Sequence, residues 1–270
     1  MRHFLAFGSF VSLCSLVACG GGATVKRPYP AFSAQDAVAK LRAAQQQISA
    51  FSAESTMDYW VGKDRVKGTV LVMGTPGAHV RFNGLSPAGE SVMADLACDG
   101  SNFAMVDFQN NCQLAGPCNA DSIAQFLRVP MQPDDFFWLA VGLTPVLADD
   151  AGVANAELQW NAKDGTEALI LKSVRGVQRI VIDARDGRFD VRHSELRTAD
   201  NALVWAVDNT GFATVTDEAG KAFRLPAKTR FAAPGEKSDL IVDWESRKLN
   251  LAIAADKFVL TPPQGLASCK

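Results

Sequence analysis

Histidine is scarce in this 270-residue chain, with three in all, and tyrosine scarcer, with two. There is no His-Glu-x-x-His, no Gly-x-Ser-x-Gly elbow and no glycine-rich phosphate loop. Without a nucleophile beside its base, a carboxylate pair in a catalytic setting or metal ligands at usable spacing, the chain reads as a non-enzyme that needs no cofactor or metal. An excess of positive charge is lacking too: Lys+Arg 27 stand against Asp+Glu 29, with no basic block, which argues against a nucleic-acid partner. No repeat of fixed period is evident. The apolar stretch from Phe4 to Val17 is shorter than the ~20 residues that cross a bilayer, so it is not expected to remain as a membrane span.

What that stretch does offer is a signal. It follows the basic Met1-Arg2-His3 and ends in Leu16-Val17-Ala18-Cys19, which resembles the lipobox of bacterial lipoproteins. The resemblance implies cleavage before Cys19, removal of residues 1–18 and acylation of Cys19. Acyl chains contribute about 0.8 kcal/mol per buried methylene, so two or three anchor a protein without a spanning helix. Gly20 stands where an Asp would favour inner-membrane retention, and the expected location is therefore the periplasmic face of the outer membrane. Residues 19–31, rich in Gly and Pro, are expected to be a flexible tether, and 32–270 a single domain and a monomer.

In an oxidising compartment Cys98, Cys112, Cys118 and Cys269 suggest two disulfides. Spacing leaves three connectivities open. One of them closes a short Gly-Pro loop between Cys112 and Cys118 and pairs Cys98 with Cys269.

The hydrophobic period is helical once near the start, where Ser33 is placed to cap a helix presenting Val38, Leu41, Ala44, Ile48 and Phe51. It then becomes two: Met57, Tyr59 and Val61, next Val66, Val70 and Val72, next Val80 and Phe82. Further strands are expected at 91–98 and 102–108, joined by an Asp99-Gly100 turn. Two short helices interrupt at 120–129 and 134–141, the second with Pro133 ahead of it and Asp134 and Asp135 at its positive end. Strands resume at 157–161, 168–173, 177–183, 189–196, 203–208, 213–217, 222–225, 240–244, 249–253 and 257–260, with turns at Asp164-Gly165 and Asp186-Gly187. Gaps this short exclude most parallel crossovers. The fold class is mainly β with a few helices: a curved antiparallel sheet forming a half-open barrel with a helical lid.

Two segments resemble the Lol family of lipoprotein-sorting proteins, LolA/LolB-like and closest to the outer-membrane receptor branch. The first runs Arg81-Phe82-Asn83-Gly84-Leu85-Ser86-Pro87-Ala88-Gly89, similar to that family's strand followed by a Pro-Leu-Gly turn. The second is residues 129–145, a Pro-rich lead into a short helix that ends Trp138-Leu139-Ala140-Val141-Gly142-Leu143. The resemblance implies an apolar cavity for lipid or for the acyl chains of lipoproteins, with a periplasmic carrier protein as a partner. Ala88 departs from the pattern, standing where the receptor branch carries an exposed leucine used in passing cargo to the membrane.

Cavity candidates are Met57, Tyr59, Phe82, Met93, Phe103, Met105, Phe136, Phe137, Trp138 and Leu139, each of which singly also suits an ordinary core. Arg81 is the candidate bridge between lid and barrel. The competing reading keeps the same fold with a filled interior, as a scaffold or sensor that binds an envelope protein; a hydrolase stands lower.

Overall fold

The computed structural model describes residues 24–269 apart from Gly62, Pro87, Glu90, Arg128 and Pro130. Cys19 and the signal sequence lie outside the described residues.

The chain opens with helix α1 (Ala34–Gln45), whose start is fixed by a reciprocal cap: Ser33 Oγ accepts from the Asp36 N–H while the Asp36 carboxylate accepts from Ser33. Strands β1 (Phe51–Val61), β2 (Asp64–Thr75), β3 (His79–Leu85), β4 (Val92–Asp99), β5 (Asn102–Asp107) and β6 (Cys112–Pro117) form a meander. Helices α2 (Ala120–Leu127), α3 (Pro133–Ala140) and α4 (Asp150–Ala154) follow. The remaining strands are β7 (Glu157–Asn161), β8 (Thr166–Ser173), β9 (Gly176–Asp183), β10 (Asp190–Arg197), β11 (Leu203–Thr216), β12 (Ala222–Ala233), β13 (Ser238–Leu249) and β14 (Ala267–Ser268).

All fourteen strands belong to one curved, open sheet, ordered β14-β6-β5-β4-β3-β2-β1-β13-β12-β11-β10-β9-β8-β7. Every pairing is antiparallel except that of β14 with β6. Bulges at Glu54/Ser55, Gly84/Leu85, Val191/His193 and Leu196/Arg197 add local twist and bend to a sheet too wide to lie flat.

The alternation decides the faces. Phe51, Ala53, Ser55 and Met57 of β1 point to the inner face, with their partners Gly74, Val72, Val70 and Gly68 of β2. Two apolar clusters grow there. One joins β1–β5 and β11–β13 to Ile123 of α2 and to Phe136, Phe137 and Leu139 of α3. The other joins Ala34, Ala37, Val38 and Leu41 of α1 to Leu169, Leu171, Ile180 and Ile182 of β8 and β9. Where residues 143–149 cross between them, polar groups are buried but paired: Gln178 receives the Leu147 N–H on its oxygen and donates to Pro145 O and Thr144 Oγ1, and Thr144 meets Ser194 at 2.7 Å. A second buried relay runs across four strands, Asn209 donating to Val191 O, Thr229 to Asn209, and Trp244 Nε1 to Thr229.

Several expectations are corrected. The segment expected to be a tether through residue 31 is held against the sheet from Val25 onward: the Val25 N–H donates to Ala162 O, Arg27 and Tyr29 both reach the buried Glu167, and the Tyr29 ring stands edge-on to Trp160. Burial, then the charge of Glu167, pushes the Tyr29 phenol up to about 12. Expected strands 203–208 and 213–217 are one, β11, which passes through Gly211 at φ +65°. β6 and α4 were not expected. No strand follows β13 until β14: residues 250–266 hold a short 3₁₀ turn, Ala255–Phe258, lying on β3 and β4. The disulfides join Cys98 to Cys118 and Cys112 to Cys269, and not Cys112 to Cys118, because Cys98 in β4 and Cys118 just past β6 stand 5.6 Å apart at Cα on the same side of the sheet.

Candidate functional site

Helix α3 lies on the inner face near the β2–β3 turn, and its sequence explains why. Pro133 starts it without a missing donor. Phe136, Phe137 and Leu139 are then buried together, while Trp138 is half-buried at the rim. The Phe136 ring sits 5.0 Å from Phe82 of β3 and 5.7 Å from Phe231 of β12, and the Phe137 ring 5.5 Å from Phe51 of β1. Such aromatic pairs add about 0.5–1.5 kcal/mol each beyond their buried area. Gly74 permits this approach, since a Cβ there would come within 3.0 Å of Phe137.

Polar contacts hold both sides of the helix start. Asp134 accepts the Gly77 N–H at 2.8 Å from the β2–β3 turn. Asp135, buried, takes Arg175 from the β8–β9 turn at 2.5 Å. Burial, the larger influence, pushes the Asp135 carboxyl above its ordinary range, and Arg175 opposes it. At the other end of the helix Gly142 adopts φ +90° against Pro226 of β12, where a Cβ would meet the proline ring at 2.1 Å.

Farther along the same face, away from α3, the cover ends. Register places Tyr59 opposite Val66, Met57 opposite Gly68, Val70 opposite Gly84, and Gly84 opposite Ala94. Tyr59, Gly68, Gly84, Ala94 and Met105 are half-buried, and Val66 is 66 % exposed. The inner face there is apolar, lined by small residues and open. A separate depression of about 340 Å³ opens at the other rim, between the end of α1 and Trp138, lined by Arg42, Gln45, Gln46, Ile48 and Pro76.

Most of the expected cavity residues therefore share one cluster: Met57, Phe82, Phe103, Phe136, Phe137 and Leu139 are buried in it, and Tyr59, Met105 and Trp138 pack against it. Met93 stands apart, out of phase with Ala94 and Leu96. Arg81 faces the opposite side of β3 from Phe82. It pairs with Asp95 at 2.7 Å and donates to Lys257 O at 2.7 Å, so it ties down the C-terminal segment and not a helix. Under that segment Ala97, Val106 and Phe258 form a small buried patch on the outer face. Ala88 is exposed in the β3–β4 connection.

Sequence reasoning missed the Asp135–Arg175 pair and Arg247. The two carboxylates at the start of α3 were legible only as complements to the helix dipole, since the partner of Asp135 lies forty residues on.

No family model matches the sequence, and no curated protein does. Solved structures do. A LolA superfamily protein from Nitrosomonas europaea superposes with a TM-score of 0.55 at 12 % identity, over 85 % of this chain and 99 % of that one. A DUF1329 family protein from Desulfovibrio piger gives 0.54 at 11 % identity, over 84 % and 95 %. A domain from Vibrio parahaemolyticus, named for outer-membrane lipoprotein sorting, gives 0.53 at 7 %, over 83 % and 95 %. At such identities the likeness is one of fold, and the fold of this chain is LolA-like.

Proposed function

We propose that the protein is an outer-membrane-anchored lipoprotein, acylated at Cys19 and cleaved after residue 18, that binds lipid or lipoprotein acyl chains on the inner face of its sheet and serves their transport through the periplasm. One observation carries the reading: the inner face of β1–β5 is largely apolar, covered by α3 at one end and open at Tyr59, Val66, Gly68, Gly84, Ala94 and Met105 at the other. Hydrocarbon gains roughly 25 cal/mol for every Å² removed from water, so a surface of this kind holds an acyl chain without directional bonds. Helix α3 fills the remainder of the face with its own aromatic rings. Full occupancy by a chain then requires α3 to lift, pivoting on a start held by Asp134 and Asp135. The fold neighbours support a carrier and not an enzyme.

A second reading has its own observation. The rings of Phe82, Phe136 and Phe231 pack in one row and leave no channel between them, as suits a scaffold that recognises an envelope protein through its surface.

Native mass spectrometry of the protein purified from membranes separates the two. Co-purified lipid, or uptake of acyl probes that quench Trp138 and Trp244, is the expected result; protein that stays lipid-free and takes up no probe identifies the scaffold. For the anchor, palmitate labelling is expected in the native chain and lost in Cys19→Ala, and labelling that persists refutes the assignment.

A further inference from the structure

Most arginines among the described residues keep company with carboxylates. Arg27 pairs with Glu167, Arg81 with Asp95, Arg175 with Asp135, Arg185 with Asp183, Arg197 with Glu195, Arg224 with Asp190 and Arg230 with Asp239. Arg247 differs. Register sets it opposite Ala53, which is buried in the apolar cluster, between Trp244 and Leu249 on the inner face. Its guanidinium lies 5.8 Å from the centre of the Trp244 ring and its Nη2 donates to Pro226 O. Its Nη1 is buried and has no hydrogen-bond partner among the described residues.

Burial alone acts on this half-buried group, with no acidic side chain among the described residues offsetting it, and draws it down to about 10. A cation taken from water into an apolar setting is costly unless it is paired. The hydrogen bond to Pro226 O and the Trp244 ring still leave the buried Nη1 with donors to spare. The roof over the site is suggestive: Pro226, which receives Arg247, is the residue against which Gly142 closes the end of α3.

Resting on the acyl-binding function proposed above, we infer that Arg247 is the anion-binding residue of the inner face, receiving the carboxylate or phosphate head of an amphiphile whose tail lies along the apolar strands. The ligand class is thereby narrowed to anionic amphiphiles, such as a fatty acid or an acidic phospholipid. A planar guanidinium accepts either head through two parallel N–H donors, and charge-assisted bonds of this kind are about twice as strong as neutral ones. The Trp244 indole, held by its bond to Thr229, keeps the cation aligned.

The test uses the delipidated full-length protein with oleate, methyl oleate and inorganic phosphate as probes, followed by tryptophan fluorescence and calorimetry. Oleate is expected to bind about 10- to 100-fold more tightly than methyl oleate, the span of one charge-assisted contact, and phosphate far more weakly than either. Arg247→Met should equalise oleate and methyl oleate, and Arg247→Lys should keep part of the preference. Folding of both variants is verified by their thermal transitions and intact disulfides. Equal binding of the two tailed probes by the native chain, or a preference that survives in Arg247→Met, overturns the assignment and leaves the carrier function standing. Phosphate binding as tight as oleate overturns the amphiphile. Failure of both tailed probes to bind overturns this inference and the carrier function together.

Discussion

Arg175, at the tip of the β8–β9 hairpin, reaches forty residues back in the chain to the buried Asp135 of α3 and meets it at 2.5 Å. The contact joins the two apolar clusters, because the hairpin belongs to the α1 side of the sheet and the helix to the other. With Asp134, which accepts the Gly77 N–H, it holds the start of an otherwise apolar helix.

Removing the cation leaves a carboxylate buried without its partner. Arg175→Met is expected to cost about 1–3 kcal/mol in urea unfolding, less than the 3–5 of a wholly buried pair, because the Arg175 side chain keeps 34 % of its exposure. Asp135→Asn should cost less, as an amide is cheaper to bury than a charge. If α3 gates the inner face, both variants take up acyl probes faster than the native chain in stopped-flow fluorescence.

The aromatic row sets the stability of the closed form. Phe136→Ala removes the ring between Phe82 and Phe231 and is expected to destabilise by about 3–5 kcal/mol in denaturant titration. Phe136→Leu, which keeps most of the volume, should lose about half as much. Losses of equal size in both variants would place the value of the ring in its shape and not in the space it fills.

On the outer face His193 Nδ1 stands 2.7 Å from Asp208, with Glu195 at 3.4 Å from its other nitrogen. Burial, the largest influence, disfavours the imidazolium, but Asp208 and Glu195 together outweigh it and hold the group above its ordinary 6.5. The folded protein therefore binds this proton more tightly than the unfolded chain. Its stabilising contribution is complete below about pH 6.5 and disappears as pH rises through the folded value. His193→Gln should flatten this part of the stability curve measured by thermal unfolding from pH 5.5 to 9. A native curve that rises with pH over the same interval contradicts the ion pair.

Non-reducing peptide mapping is expected to recover Cys98 with Cys118 and Cys112 with Cys269. The second bond closes a loop spanning 157 residues, and its loss in Cys269→Ser should cost about 2–5 kcal/mol. Recovery of a Cys112–Cys118 peptide would refute the pairing.

Much of the strand pattern was legible because inner and outer positions alternate plainly. Asp99-Gly100 foretold a turn, and Gly100 indeed takes φ +94°; Ser33 foretold a cap that forms with Asp36. What failed did so for identifiable reasons. Gly211 reads as a break, yet the hairpin partner β12 carries the chain through it. Residues 251–260 look like strands, but of their apolar side chains only Phe258 is buried, on the outer face. Arg247 fell in an apparent gap between two short apolar runs. The bulge at Glu54/Ser55 shifts the phase of β13 and turns that arginine inward, and a sequence has no mark for such a shift. The cysteine pairing depended on which strand ends meet, a property of topology and not of spacing.

An open sheet has two rims, and each presents backbone groups ready to pair with a stranger. Here the polypeptide's own extremities guard them. Beside β7 the Val25 amide occupies the carbonyl of Ala162, and along β6 the brief β14 is riveted in place by Cys112–Cys269. Removing either flank would expose backbone groups to a strand from elsewhere, so residues that look like loose ends serve as cover for so broad a sheet.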